Sequence, residues 1–133
     1  MHDGGTAATS DHCSMEKIRV VVANEPRAYR ETLAEALRNL CLRAEVIIIE
    51  PAALHQHVRR FPPHLVLGSE LDPEMLTGPF SWVDLYPNGE RYAVINIGGE
   101  RTIVNNLDLA GLLRIVDQTE RLAGTVSCRS NPD

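Results

Sequence analysis

The run Ile18-Arg19-Val20-Val21-Val22-Ala23 stops abruptly at Asn24-Glu25, and a helical pattern begins at once. A short, β-branched, nearly all-apolar run of this kind reads as a parallel strand buried on both faces, which requires helices on both sides of a sheet. The next apolar residues are Tyr29, Leu33, Ala36, Leu37 and Leu40. Their spacing of i, i+4, i+7, i+8 and i+11 makes one continuous helical stripe. Arg27, Arg30, Glu31, Glu35 and Arg38 fall on the expected wet face. Asn24 reads as the N-cap, because its side-chain oxygen can accept from an orphan helix N–H, and Pro26 is tolerated in the first turn. In open α/β sheets the carboxyl end of such a strand opens into the crevice where sites are built, so Asn24 and Glu25 are expected on its rim.

The alternation repeats. Ala44 to Ile49 is a second strand, and Leu54, Val58 and Phe61 stripe a second helix that Pro62-Pro63 ends, since the residue before a proline is pushed out of the α region. His64 to Ser69 is a third strand. Asp72-Pro73-Glu74 then reads as a cap followed by proline at the first helical position, and Gly78-Pro79 closes that short helix. The dozen or so residues leading to the fourth strand, Ser81 to Tyr86, just suffice for a parallel crossover. The four residues Pro87-Asn88-Gly89-Glu90 do not. Arg91 to Ile97 should therefore return antiparallel, and Gly98-Gly99 should turn the chain into Arg101 to Val104. The last helix is expected from Asn106 or Asp108 to Gly124, with Leu109, Leu112, Leu113 and Val116 toward the core and Ile115 and Leu122 extending the apolar surface sideways. The expected organisation is a disordered tail over 1–16, one α/β domain over 17–124, and a second polar tail over 125–133. The sheet should be mostly parallel, with an antiparallel ribbon where a helix would normally stand.

Several function classes are disfavoured. The formal net charge is −5, from 18 acids and 13 scattered bases, which lacks the basic patch of a nucleic-acid binder. No apolar run approaches the roughly 20 residues of a membrane span, and the first residues do not read as a signal peptide. Cys13, Cys41 and Cys128 form no C-x-x-C pair, so neither a disulfide framework nor a zinc site is expected, and a reducing cytoplasm is the default. His12-Cys13 lies in a tail. His55 and His57, at i and i+2 on a helix, point roughly 200° apart and cannot grip one ion. No metal and no cofactor are expected.

The β-α-β-α-β order, together with Pro63-His64-Leu65-Val66-Leu67-Gly68-Ser69 and Pro73 four residues on, resembles the receiver domain of bacterial two-component response regulators, best over residues 17–73. The resemblance implies a three-layer α/β/α, flavodoxin-like sheet, the ribbon replacing the usual fourth helix. It sets Ser69 at the phosphoacceptor position and Asn24-Glu25 where the family has two acids. Phosphorylation in such a pocket needs a carboxylate nucleophile, Mg²⁺ on oxygen ligands and a cation against the transferring group. Ser69 cannot form an acyl phosphate, Asn24 removes one acid, and the only lysine is Lys17, before the first strand. The implied protein is a non-phosphorylatable pseudo-receiver, a signalling or protein-interaction module without catalytic residues. Asn24, Glu25 and Ser69 form its vestigial pocket.

Such a module would act through a surface, for which Trp82, Tyr86, Tyr92, Leu112, Ile115 and Leu122 are the candidates. A homodimer is the simplest version, and no motif names another protein partner. The alternative is a crevice that binds a small ligand or a divalent cation, or is weakly enzymatic, lined by Asn24, Glu25, Ser69, Glu70 and Asp72. No Gly-rich phosphate loop follows the first strand, and Ser69 lacks the Gly-x-Ser-x-Gly elbow of a hydrolase nucleophile.

Overall fold

The computed structural model describes residues 17–86 and 90–129, with 124–129 as backbone alone. The expected N-terminal tail, the Pro87-Asn88-Gly89 turn and residues 130–133 lie outside the described residues. The elements are β1 (Ile18–Ala23), α1 (Arg27–Leu40), β2 (Ala44–Ile48), a 3₁₀ turn (Pro51–Ala53) running into α2 (Leu54–Arg60), β3 (Leu65–Gly68), α3 (Pro73–Leu76), β4 (Ser81–Leu85), β5 (Tyr92–Ile97), β6 (Glu100–Asn105) and α4 (Leu109–Arg129).

Among the described residues six strands form one sheet, in the order β2-β1-β3-β4-β5-β6. The first three pairings are parallel and the last two antiparallel, so the expected mixed α/β sheet is present. β1 sits between β2 and β3, which makes the gap between β1 and β3 the point where the chain reverses its direction of winding.

Period-two alternation sorts the strand side chains into two cores. Val20, Val22, Leu65, Leu67, Val83 and Leu85 pack on one face with Leu33, Ala34 and Leu37 of α1 and Leu112, Ile115 and Val116 of α4. Val21, Ala23, Val66 and Trp82 pack on the other face with Leu54 and Val58 of α2 and Met75 of α3. Each fully buried Val or Leu contributes about 1.5–3 kcal/mol over its exposed state, which makes these central strands the main source of stability.

Two helices sit differently from expectation. The α1 stripe is Arg30, Leu33, Ala34 and Leu37, so Arg30 leaves the wet face and Leu40 takes its place in solvent. In α4 the buried set is Leu112, Ile115, Val116 and Thr119, with Leu109 exposed. α4 also runs through Gly124 to Arg129, taking in part of the expected C-terminal tail. One glycine costs about 1 kcal/mol relative to alanine, too little by itself to end a long helix.

The expected interface is largely core. Trp82 is 1% exposed and its indole N–H donates to the Leu76 carbonyl at 3.0 Å. Leu112 and Ile115 are buried under α4. Tyr86 is half-buried, its hydroxyl donating to the Leu107 carbonyl at 2.9 Å. Of the six candidates, only Tyr92 (half-buried) and Leu122 (exposed) present substantial surface without such a tie. Large apolar side chains beside a six-stranded sheet are more valuable inside than on a surface.

At the start of α4 the Asp108 Oδ1 accepts the Gly111 N–H at 2.9 Å, which makes Asp108 the cap rather than Asn106. Asp108→Ala is expected to lower unfolding stability by about 1 kcal/mol in urea titration; an unchanged midpoint would contradict this assignment.

Candidate functional site

The crevice at the carboxyl ends of β1 and β3 does bring Asn24, Glu25 and Ser69 together. β1 and β3 are in register through Ala23 and Gly68, so the residues that follow each strand leave the sheet side by side. The Ser69 Oγ accepts the Glu25 N–H at 2.9 Å, a role that leaves its O–H as a donor. The Glu25 side chain is exposed, and the Glu25–Pro26 peptide is cis.

Asn24 is 0% exposed, and neither its amide nitrogen nor its amide oxygen has a hydrogen-bond partner among the described residues. It does not cap α1, whose N-cap is Pro26 without a side-chain hydrogen bond. The burial of β1 explains this: Asn24 continues the strand into the core instead of turning back over the helix.

Arg30, one turn into α1, fills the floor beside it. Arg30 is 4% exposed. Its Nη1 donates to the Asn24 carbonyl at 3.3 Å and stands 3.9 Å from Glu25 Oε1, while its Nε has no partner among the described residues. A guanidinium removed from water is expensive unless it is paired, so its position is dictated by the α1 stripe and compensated by the carbonyl and the single acid within reach.

Asp84 completes the wall on the opposite face. It pairs in register with Gly68 and is 7% exposed. Its carboxylate accepts the backbone N–H groups of Glu70 and Leu71, yet burial dominates and pushes its pKa up from the ordinary aspartate value. Those bonds hold the β3–α3 loop down, with Glu70 in the left-handed region at φ 51°, a conformation costly for a residue with a Cβ. Gly68 permits the close approach, since a Cβ there would stand 2.5 Å from Leu71 Cδ2.

Asp72 and Glu70 are not part of the floor. Asp72 caps α3 as expected, accepting the Met75 N–H at 3.1 Å. Its other oxygen meets His55 Nε2, while His55 Nδ1 lies 3.2 Å from Glu74 and Arg59 donates to Glu74 at 3.0 Å. Burial pushes the Asp72 carboxyl up, but the Met75 N–H and the His55 ring outweigh it and hold it below the usual range. Arg59 does the same for Glu74. This cluster ties α2 to α3. His55 spends its two nitrogens on two carboxylates, and His64 Nδ1 accepts the Arg19 N–H at 2.8 Å. Among the described residues no three His, Cys, Asp or Glu side chains are placed to hold one metal ion.

An open groove of about 380 Å³ lies at the far end of the parallel strands, between Leu40, Cys41 and Leu42 on one wall and Leu113, Val116 and Glu120 on the other. It shares no residue with the crevice. No helix among the described residues is long and apolar enough to cross a membrane.

Arg30 and Asp84 are the two site residues that sequence reasoning missed. Both left a signal. Arg30 precedes Leu33, Ala34 and Leu37 at i+3, i+4 and i+7, so it belongs to the same stripe. Asp84 interrupts Ser81-Trp82-Val83-Asp84-Leu85, a strand that central placement buries on both faces. No known protein family, curated protein or solved structure matches the chain.

The Asp84 shift has a sign that can be measured. Because its folded-state pKa lies above its unfolded value, its contribution is fully present below the unfolded pKa and is lost as pH rises through the folded pKa. Asp72 and Glu74, with lowered values, contribute in the opposite sense, losing stability as pH falls through their folded pKa values. Comparing the wild type with Asp84→Asn isolates the first effect. The wild-type stability should decline relative to the variant as pH rises across the carboxylate range in denaturant titrations. Parallel profiles would show that the Asp84 carboxyl is not desolvated.

Proposed function

We propose that this chain is a non-phosphorylatable, receiver-like protein-interaction module of flavodoxin-like architecture, non-enzymatic, with the crevice of its fold closed by its own side chains. The parallel part of the sheet supports the architecture: the order β2-β1-β3-β4 is that of a flavodoxin-like sheet through its first four strands, with the switch point between β1 and β3. The antiparallel β5–β6 ribbon then stands where such a sheet would continue through another helix and parallel strand.

The observation that carries the functional reading is the buried Arg30. A receiver-type pocket needs a divalent cation on several oxygen ligands. Here a buried positive charge lies 3.9 Å from Glu25 Oε1, so a cation ligated by that carboxylate would meet a like charge close by. The hydroxyl at the acceptor position could form only a phosphate ester, not the labile acyl phosphate. A module built this way signals by what it binds.

A second reading, a small polar ligand in the same crevice, draws on the unpartnered amide of Asn24 and the unpartnered Asp84 Oδ1, buried polar atoms of the kind that a ligand or water satisfies. The divalent-cation version lacks an acidic cluster among the described residues.

Incubation with acetyl phosphate and Mg²⁺, followed by intact-mass measurement, separates these readings from phosphoacceptance. The unmodified mass is expected. A phosphoryl adduct that is lost on mild base treatment would overturn the proposal, because it would show an acyl phosphate on a carboxylate of this chain. Calorimetric titration with Mg²⁺ should give no binding heat, and a saturable heat would favour the ligand-binding reading.

A further inference from the structure

The two edges of the sheet are finished differently. At the β2 edge the Ile49 N–H goes inward to the Val22 carbonyl at 3.0 Å, so the alternate residue Val46 turns its carbonyl outward. Arg38 Nε and Nη2 both donate to that carbonyl, at 3.2 and 3.0 Å. The chain's own arginine thereby covers one carbonyl at the middle of the outer β2 edge.

β6 has no such cover among the described residues. Its register with β5 runs unbroken from Ile97↔Glu100 to Tyr92↔Asn105, and beyond it the Asn106 N–H donates to the Arg91 carbonyl at 2.9 Å. Alternation from that bond turns the backbone groups of Glu100, Thr102 and Val104 toward β5. Those of Arg101, Ile103 and Asn105 face outward. Natural edge strands are usually blunted by Lys, Pro, bulges or short length. Glu100-Arg101-Thr102-Ile103-Val104-Asn105 has no Lys, no Pro and no bulge, a β-branched centre, and an Ile103 side chain that is 66% exposed. The one charged side chain among the outward residues is withdrawn, since the Arg101 guanidinium carbon lies 5.2 Å from the centroid of the Trp82 ring, back across the sheet.

We propose that β6 pairs antiparallel with β6 of a second copy of this chain, about a two-fold axis at Ile103, to join two six-stranded sheets into one. This deepens the reading of the chain as an interaction module and rests on it. The strand is self-complementary in this register. Ile103 meets Ile103 of the second copy, and Arg101 meets Asn105 of the second copy. Every outward backbone N–H and C=O of the strand finds a partner, and no like charges are opposed. Neighbouring registers are worse. An axis at Arg101 sets two arginines opposite one another, one at Thr102 leaves Asn105 against the Gly99 turn, and one at Val104 sets Arg101 against Leu107 beyond the strand.

Sedimentation equilibrium of the full chain over a range of concentrations tests this. The mass should rise from 14.7 kDa toward twice that value, and Ile103→Lys, which sets two like charges at the axis on an already exposed site, should hold it at 14.7 kDa with an unchanged circular dichroism spectrum. Amide hydrogen exchange of the wild type at low and high concentration supplies the readout if that variant does not fold. Arg101, Ile103 and Asn105 amides should become protected with concentration, while Thr102 and Val104 amides should be protected throughout. A wild type that stays monomeric, with the outward amides either exposed or protected at every concentration, overturns the proposal; in the latter case the edge is covered by the chain itself. A dimer that survives Ile103→Lys, or one that leaves the outward amides unprotected, also overturns it, because the interface then lies elsewhere. None of these results touches the closed crevice, just as a phosphoryl adduct would leave the dimer standing.

Discussion

β1 is buried on both faces, and most of the molecule follows from that. A strand with Val20, Val21 and Val22 almost wholly out of water needs a helix layer on each side and a hydrogen-bonded neighbour on each edge. The chain supplies them by running outward to β2 and then back past β1 to β3. The reversal creates a crevice, and the same burial determines its chemistry. What emerges from β1 arrives in a desolvated place, so Asn24 ends in the core, the Glu25 N–H takes the Ser69 hydroxyl, and Arg30 is enclosed beside them. The groups at the mouth of β1 make contacts with one another, the Arg30 guanidinium with the Asn24 carbonyl and the Glu25 N–H with Ser69 Oγ.

The other half of the sheet obeys a different constraint. After β4 the connection is too short for a helix, so β5 and β6 must be antiparallel, and the face served elsewhere by α2 and α3 has less cover over the ribbon. Arg101 lying over Trp82 is one local response, and the Leu76 carbonyl on the indole N–H is another. Among the described residues the outer edge of β6 receives none. The contrast is with β2, where Arg38 covers an outward carbonyl.

Much of this fold was legible from residue patterns, because β-branched runs, prolines and connection lengths act locally. The parallel crossovers, the antiparallel ribbon, the Asp72-Pro73 start of α3 and the meeting of Asn24, Glu25 and Ser69 all follow from such signals. Where pattern and structure differ, tertiary burial is the cause. Arg30 reads as a wet-face residue, yet it shares a stripe with Leu33 and Leu37. Asp84 breaks an apolar strand, and that break is its signal. Trp82, Leu112 and Ile115 read as an interface, yet the sheet must be covered and they lie in its cover. For Arg30 and Asp84 burial overrides the usual preference of the residue type, and the compensation of Asp84 is visible only once the Glu70-Leu71 loop is in place.

Arg30 occupies the crevice at the switch point, and the guanidinium itself can report on it. In a ¹H–¹⁵N spectrum the Nε–H of a buried arginine gives a resolved signal that exchanges slowly with water, whereas exposed arginines exchange rapidly at neutral pH. A closed crevice predicts that the Arg30 Nε–H signal, assigned by its loss in Arg30→Met, is slow to exchange and unmoved by added Mg²⁺. A rapidly exchanging Arg30, or one whose signal shifts as Mg²⁺ saturates, would contradict it and would mean that the crevice opens to solvent and ions.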